Sequence, residues 1–159
     1  MAITTTGGFT STQLKSQAEQ LEFSSFSAGD SLDLGELALS MARSRGLPIA
    51  IEVWHTGRLI FKAALPGTSA ENDDWLRRKK NVADKFDDST MAVRVRHEEL
   101  GLDFNTATLL PLVDYAAHGG GWPIKVIDLG TVGFFGISGL PQVEDHKLII
   151  ECLEVLHQK

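Results

Sequence analysis

Two stretches of this chain alternate apolar and polar side chains around a tight turn, and nothing else in it constrains the fold as much. In "PIAIEVWHTGRLIFKAAL", Ile49, Ile51 and Val53 alternate with Ala50 and Glu52, and Leu59 and Phe61 resume the pattern after "HTGR". A period of two marks a strand with one buried face. Gly57 gives the turn a residue that takes positive φ without cost. In "PIKVIDLGTVGFFGIS" the alternation runs through "PIKVID", turns at "LG", and continues in a glycine-bearing strand. Phe134 and Phe135 are consecutive, so they face opposite sides of that strand. One is expected in the core and the other at an interface.

Helical patterns surround these stretches. A Ser/Thr start followed by good helix formers predicts a helix at about Thr12 to Leu21. Asp30 or Ser31 is positioned to cap a second, in which Leu34, Leu37, Ala38 and Met41 recur at three- and four-residue spacing before Gly46 ends it. Asn72 or Ser69 caps a charged third, with Asp73 and Asp74 in its first turn, where carboxylates suit the helix dipole. A further helix is expected over Asp88 to Gly101, then a loop from Phe104 to Pro111. The closing helix buries a stripe of Leu148, Ile149, Cys152, Leu153 and Leu156. "EFSSF" reads as a short strand anchored by Phe23 and Phe26. The order is α-β-α-β-β-α-α-β-β-α. Hairpins joined by helices, without strict βαβ alternation, predict an α+β fold, an antiparallel sheet with helices on its faces. Residues 1–11 are expected to form a disordered tail and residues 12–159 a single domain.

Composition narrows the class of partner. With 159 residues, 43% of them hydrophobic, the chain can bury a core without disulfides or a structural metal. A net charge of -6 argues against non-specific nucleic-acid binding, which needs a basic footprint. Cys152 is the only cysteine, so no internal disulfide can form. The start has neither a basic n-region nor an apolar h-region, and no apolar run reaches the roughly 20 residues of a bilayer span. The expectation is a soluble cytoplasmic protein with no membrane partner.

Three groups of residues carry possible chemistry. Gly119, Gly120 and Gly121 form either a positive-φ turn or a loop of free N–H groups able to bind an anion. "HGGG" is also seen in esterase oxyanion loops, but no Gly-x-Ser-x-Gly elbow accompanies it. His118 and His146 flank the second hairpin. With Asp145 they are candidate ligands of a two-His-plus-carboxylate metal site, against a plain structural role for the histidines and a helix-dipole role for Glu144 and Asp145. In "WLRRKK", Arg78 or Lys79 is expected to reach a carboxylate ligand with Trp75 as its apolar wall. The bland alternative is a solvated helix face with Asp73–Arg77 and Asp74–Arg78 pairs. His55 is expected in solvent at a hairpin turn, and His97 has no supporting pattern. There is no P-loop, zinc spacing or Cys-x-x-Cys-His.

The later motifs resemble a known family. Gly120, Gly121, Pro123 and Ile124, then Gly130, Val132 and Gly133, then Ser138, Gly139, Glu144 and Asp145 match the pattern of the GlcG/HbpS-like, haem-degrading domain family. "ENDDWLRRKK" (Glu71 to Lys80), "YAAHGGG" (Tyr115 to Gly121) and "ISGLPQVEDH" (Ile137 to His146) are similar to its uncharacterised branch, UPF family 0303. The resemblance covers roughly Asp30 to the C-terminus. It implies a profilin-like, three-layer α/β/α domain, found as a homo-oligomer, with haem or a related anionic molecule as its ligand. The pocket so implied is built from Trp75, Arg78, Lys79, His118, Gly119, Gly120, Ser138, Gly139 and His146. Two other readings stand beside it: a non-catalytic assembly or adaptor protein, and a metal-dependent enzyme using His118, His146 and Asp145.

Overall fold

The structure is a computed structural model and describes residues 6–159. Its elements are α1 (Ser11–Gln20), α2 (Ala28–Arg45), β1 (Ala50–His55), β2 (Arg58–Ala64), α3 (Ala70–Phe86), α4 (Thr90–Glu99), α5 (Phe104–Thr108), β3 (Gly121–Val126), β4 (Gly130–Ser138) and α6 (Gln142–His157). The four strands form one antiparallel sheet in the order β2-β1-β4-β3. Both expected hairpins are present. Thr56 (φ 48°) and Gly57 (φ 80°) make the β1–β2 turn, with positive φ at both positions as a two-residue hairpin turn requires.

Side-chain alternation sorts the strands into two faces. Ile51, Val53, Trp122, Ile124, Val126, Phe135 and Ile137 point to one face and form a continuous core with Leu34, Ala38 and Ala42 of α2 and Leu148, Ile149, Cys152 and Leu153 of α6. The other face carries Ala50, Glu52, Trp54, Phe134, Gly136 and Ser138 and lies under α3, whose Leu76 packs on Gly136 and Phe134. Helices thus cover both faces, in the α+β, profilin-like three-layer arrangement. Phe134 and Phe135 do take opposite faces, but both are buried inside this one chain. Neither is left for an interface.

Local capping chemistry fixes the helix starts. Ser69 caps α3 and Asn72 completes the capping box. Ser27, rather than Asp30 or Ser31, caps α2, with Asp30 closing the box from within, and Gly46 (φ 64°) ends the helix.

Several expectations need correction. "EFSSF" is not a strand. Phe23 forms a single parallel bridge to Val126, held by Phe23 N–H to Lys125 O and Ile127 N–H to Phe23 O. Two phenylalanines spaced to reach the core supply burial without a ladder. The expected loop after Phe104 holds the short α5, because the Asp103 side chain accepts from Thr106 N–H. Of the expected tail, residues 1–5 lie outside the described residues, whereas Thr6 is buried and Phe9 packs edge-on against the His146 ring. His55 is not free in solvent, since its Nε2 bonds Phe26 O. Among the described residues no helix is long and apolar enough to cross a membrane.

Candidate functional site

The basic string on α3 acts first on the backbone. Arg77 Nη2 donates to Val113 O, Arg78 Nε to Leu112 O and Asn81 Nδ2 to Asp114 O, at 2.8, 2.9 and 2.8 Å. These bonds strap residues 112–114 along α3. Arg77 is further committed to Asp74 and Asp114, and Asp73 pairs with Lys62, so the expected Asp73–Arg77 and Asp74–Arg78 pairs do not form.

Beyond the strap, His118 lies against α3. Its ring meets Trp75 edge-on with centroids 4.9 Å apart, and the Arg78 guanidinium carbon lies 4.2 Å from the Trp75 ring centroid. Beyond that stacking and the one bond from Nε, both Arg78 Nη groups are without hydrogen bond or ion pair among the described residues. His118 links this cluster to a cleft of about 250 Å3, which it lines together with Arg94, Glu98, Asp103, Phe104, Leu102 and Leu112. Burial, and then the charges of Arg94, Lys79 and Arg78, push His118 down to about 4. The imidazole is therefore neutral at pH 7, and the cleft it lines holds Glu98 and Asp103 beside an Arg94 that is paired with Glu98 at 3.0 Å. The cation here without an acid partner among the described residues is Arg78.

Lys79 does not belong to this surface. It is 2% exposed, and its Nζ donates to Ile137 O at 2.9 Å and to Asp145 Oδ2 at 3.2 Å. Asp145 Oδ1 accepts from Leu140 N–H. Burial lowers the Lys79 pKa and raises that of Asp145 to about 6, because each charge is held out of water. Gly120 (φ 116°) is seated on the pair: a Cβ there would lie 2.4 Å from Ile137 O and 2.7 Å from Lys79 Nζ. Gly119 packs as tightly on Gln142 O and Met91, and Gly139 (φ 147°) on Pro48 O. The amides of Gly119 and Gly121 are taken by Gln142 Oε1 and Thr90 Oγ1, so this loop does not present a row of free N–H groups. Ser138 is buried beside Asn72.

His146 is placed apart from both. It is fully buried, its Nε2 bonds Gln17 Oε1 on α1, and its Nδ1 has no partner among the described residues. Burial pushes it down to about 4. The expected metal set of His118, Asp145 and His146 does not assemble: no three His, Cys, Asp or Glu groups among the described residues stand together as metal ligands. Asp145 is already engaged by Lys79 and Leu140.

The implied pocket is thus divided. Trp75, Arg78 and His118 come together at the surface. Lys79, Gly119, Gly120, Ser138, Gly139 and Asp145 lie buried, and His146 sits under α1. Arg94 and the α5 side chains complete the cleft and were not foreseen, since nothing local in "RVRHEEL" links Arg94 to His118. A larger cleft, about 590 Å3, is lined by Asp30, Asp33 and Glu36 with Phe23, Phe26, His157 and Lys159, and its three carboxylates against one lysine disfavour an anion.

Comparisons with known proteins agree on the fold. The family model described as haem degrading protein HbpS-like matches residues 26–154. A UPF0303 protein of Streptomyces coelicolor is 40% identical over 142 residues, spanning 89% of this chain and 90% of its own. The crystal structure of the Ybr137w protein superposes with a TM-score of 0.87 at 24% identity, covering 95% of this chain and 90% of that one. A PduOC:haem complex superposes at 0.67 with 16% identity, covering 83% and 94%.

Proposed function

Because this chain belongs to the HbpS-like family of haem-degrading proteins, we propose that it is a binding domain for a small carboxylate-bearing ligand, haem being the family's candidate, seated at the Trp75–Arg78–His118 cleft. The observation that carries the reading is the Arg78 guanidinium. It lies over the Trp75 ring, 4.2 Å from the centroid, with its outer nitrogens unengaged among the described residues and so open to a carboxylate in two parallel bonds. Arg94 is committed to Glu98 and Ala117 O, so Arg78 is the cation this reading relies on, and neutral His118 adds a hydrogen-bonding edge.

Size limits the mode. Pockets that enclose a drug-sized ligand run roughly 300–1,000 Å3, and this cleft holds about 250 Å3. Its residues therefore fit a propionate arm of haem or a small organic acid. The macrocycle would lie outside, across the exposed Leu102 and Leu112. Leu100, Leu109 and Val113 are exposed as well, and large apolar side chains in solvent suit contact with a second copy of the chain and support a homo-oligomer. A single buried thiol suits the reducing cytoplasm.

Titration with haemin followed by absorbance tests this. Wild type is expected to show a saturable Soret shift. Arg78→Met should weaken the affinity about ten- to hundredfold, the loss of a charge-assisted contact worth about 1.5–3 kcal/mol, and His118→Ala should weaken it less. No saturable shift, from a protein that still runs as a defined multimer, would replace this reading with one of assembly.

A further inference from the structure

We propose that the buried Lys79–Asp145 pair is a positioning device that fixes the His118–Gly121 turn, and through it the ligand-facing imidazole of His118. This rests on reading the Trp75–Arg78–His118 cleft as the binding site. Lys79 stands on α3 and Asp145 on α6, so the two come from opposite helical layers. They meet beyond the ends of β3 and β4, where the chain passes from His118 into Gly121.

The turn is threaded through that meeting point. Ile137 N–H donates to Gly120 O at 2.8 Å, while Ile137 O accepts from Lys79 Nζ at 2.9 Å. Lys79 thus grips the strand residue that grips the turn. On the other side Asp145 Oδ1 accepts from Leu140 N–H at 3.0 Å, which fixes the exit of β4 against α6. A Cβ at Gly120 would stand 2.7 Å from Nζ and 2.9 Å from the Asp145 Cβ, so no side chain fits between turn and pair. His118 follows two residues before this anchor, and Trp75, its ring partner, precedes Lys79 by one helical turn on the same face. The helix that carries Lys79 to the turn thus also carries the ring on which His118 rests.

Stability alone does not account for such a pair. Two charges held out of water cost several kcal/mol each, and a buried pair replaced by well-packed apolar groups is often no less stable. What apolar groups cannot supply is direction. The bonds from Nζ and Oδ1 fix distance and angle to two named backbone groups, and a methyl group does neither.

The experiment compares wild type with Lys79→Met/Asp145→Leu and with the near-isosteric Asp145→Asn. Three quantities are read: the thermal midpoint, hydrogen exchange at the Gly121 and Ile137 amides, and haemin affinity. The double variant is expected to keep its midpoint within a few degrees. Its Gly121 and Ile137 amides should exchange at least tenfold faster, and haemin affinity should fall at least tenfold. A simple packing role would leave exchange and affinity with the midpoint, unmoved. Unchanged exchange in the double variant overturns the proposal. If the double variant does not fold, Asp145→Asn decides in the same way: faster exchange at the two amides supports the proposal and unchanged exchange overturns it. Exchange is measured without ligand. Wild type that binds no haemin therefore removes the binding-site reading separately, while the exchange result still reports on the turn.

Discussion

The sheet face under α2 and α6 and the face under α3 come from the same four strands, yet they are filled by different rules. Under α2 and α6 the fully buried strand residues are apolar, with the half-buried His55 at the margin the polar exception, and contact is mainly non-directional. Under α3 the strands present Glu52, bonded to Trp54 Nε1 and Lys62 Nζ, and Ser138, beside Asn72, with Lys79 bonded at the rim. Each buried polar group there needs a partner at a fixed angle. The first face resists unfolding whatever its exact register. The second trades some of that for precise placement of α3 against the strands, and it is at the edge of the second face that the cleft is found.

The sharpest test of this contrast sets one substitution on each side. Phe135→Ala empties a fully buried site on the apolar face and should cost about 3–5 kcal/mol, with no single change elsewhere on that face restoring it. Lys79→Met strands Asp145 without its cation and should cost a similar 3–5 kcal/mol. Adding Asp145→Leu should return most of that loss. Urea unfolding of the four proteins reads the difference. A double variant no more stable than Lys79→Met would mean that the polar face is stabilised by its charges after all, and the contrast would fail.

Acid should act next. His146, on α6 at the margin of the apolar face, has a folded pKa of about 4 against an ordinary 6.5. The unfolded chain binds this proton more readily, so the stability involved is complete above pH 6.5 and is lost as pH falls toward 4. A shift of that size is worth on the order of 3 kcal/mol. Asp145 works the other way, since its raised pKa of about 6 makes the folded state the better proton binder between pH 6 and 3.8. Comparing unfolding at pH 7 and pH 4.5, His146→Gln should lose less stability than wild type while keeping a side chain able to bond Gln17. Equal losses would show that His146 is not held neutral by its burial.

How much of this was legible in the sequence depends on how local the signal was. The Leu34–Leu37–Ala38–Met41 spacing and Gly46 describe α2 from within a few residues, and alternation about Gly57 does the same for the first hairpin. The site was less legible, because its contacts join residues far apart in the chain: Lys79 to Asp145, Arg78 to Leu112, and Arg94 to the cleft beside His118. One local clue was available. Leu76, Lys79, Val82 and Ala83 share helical spacing and are all buried, so Lys79 occupied an apolar stripe where Lys80 did not. A lysine in such a stripe implies a buried acid, but nothing in "WLRRKK" says which one. "EFSSF" misled for the opposite reason: apolar anchoring does not require a ladder.

The α3 cap tests the polar face more gently. Ser69 Oγ accepts from Glu71 N–H while Asn72 returns the bond to Ser69 N–H. Ser69→Ala should cost about 1 kcal/mol. If placement is what this face supplies, the loss should appear in haemin affinity as well as in stability, because α3 carries both Trp75 and Arg78.

The smallest effect is expected from the ion pair between Arg45 and Glu151, which joins α2 to α6 outside the apolar face. Its chemistry is that of Lys79 and Asp145, a cation and a carboxylate from two helices, but its side chains are 45% and 44% exposed where theirs are 3% and 2%. Exposed charges keep most of their hydration, and ordering two long side chains offsets much of the attraction, so such pairs contribute about 0–1 kcal/mol. A double-mutant cycle with Arg45→Ala and Glu151→Ala should therefore return only a small coupling that shrinks further in 1 M salt, where screening acts within about 3 Å. A coupling that is larger and indifferent to salt would place a directional contact on the side of the sheet held here to need none. Burial would then no longer be what separates the two faces.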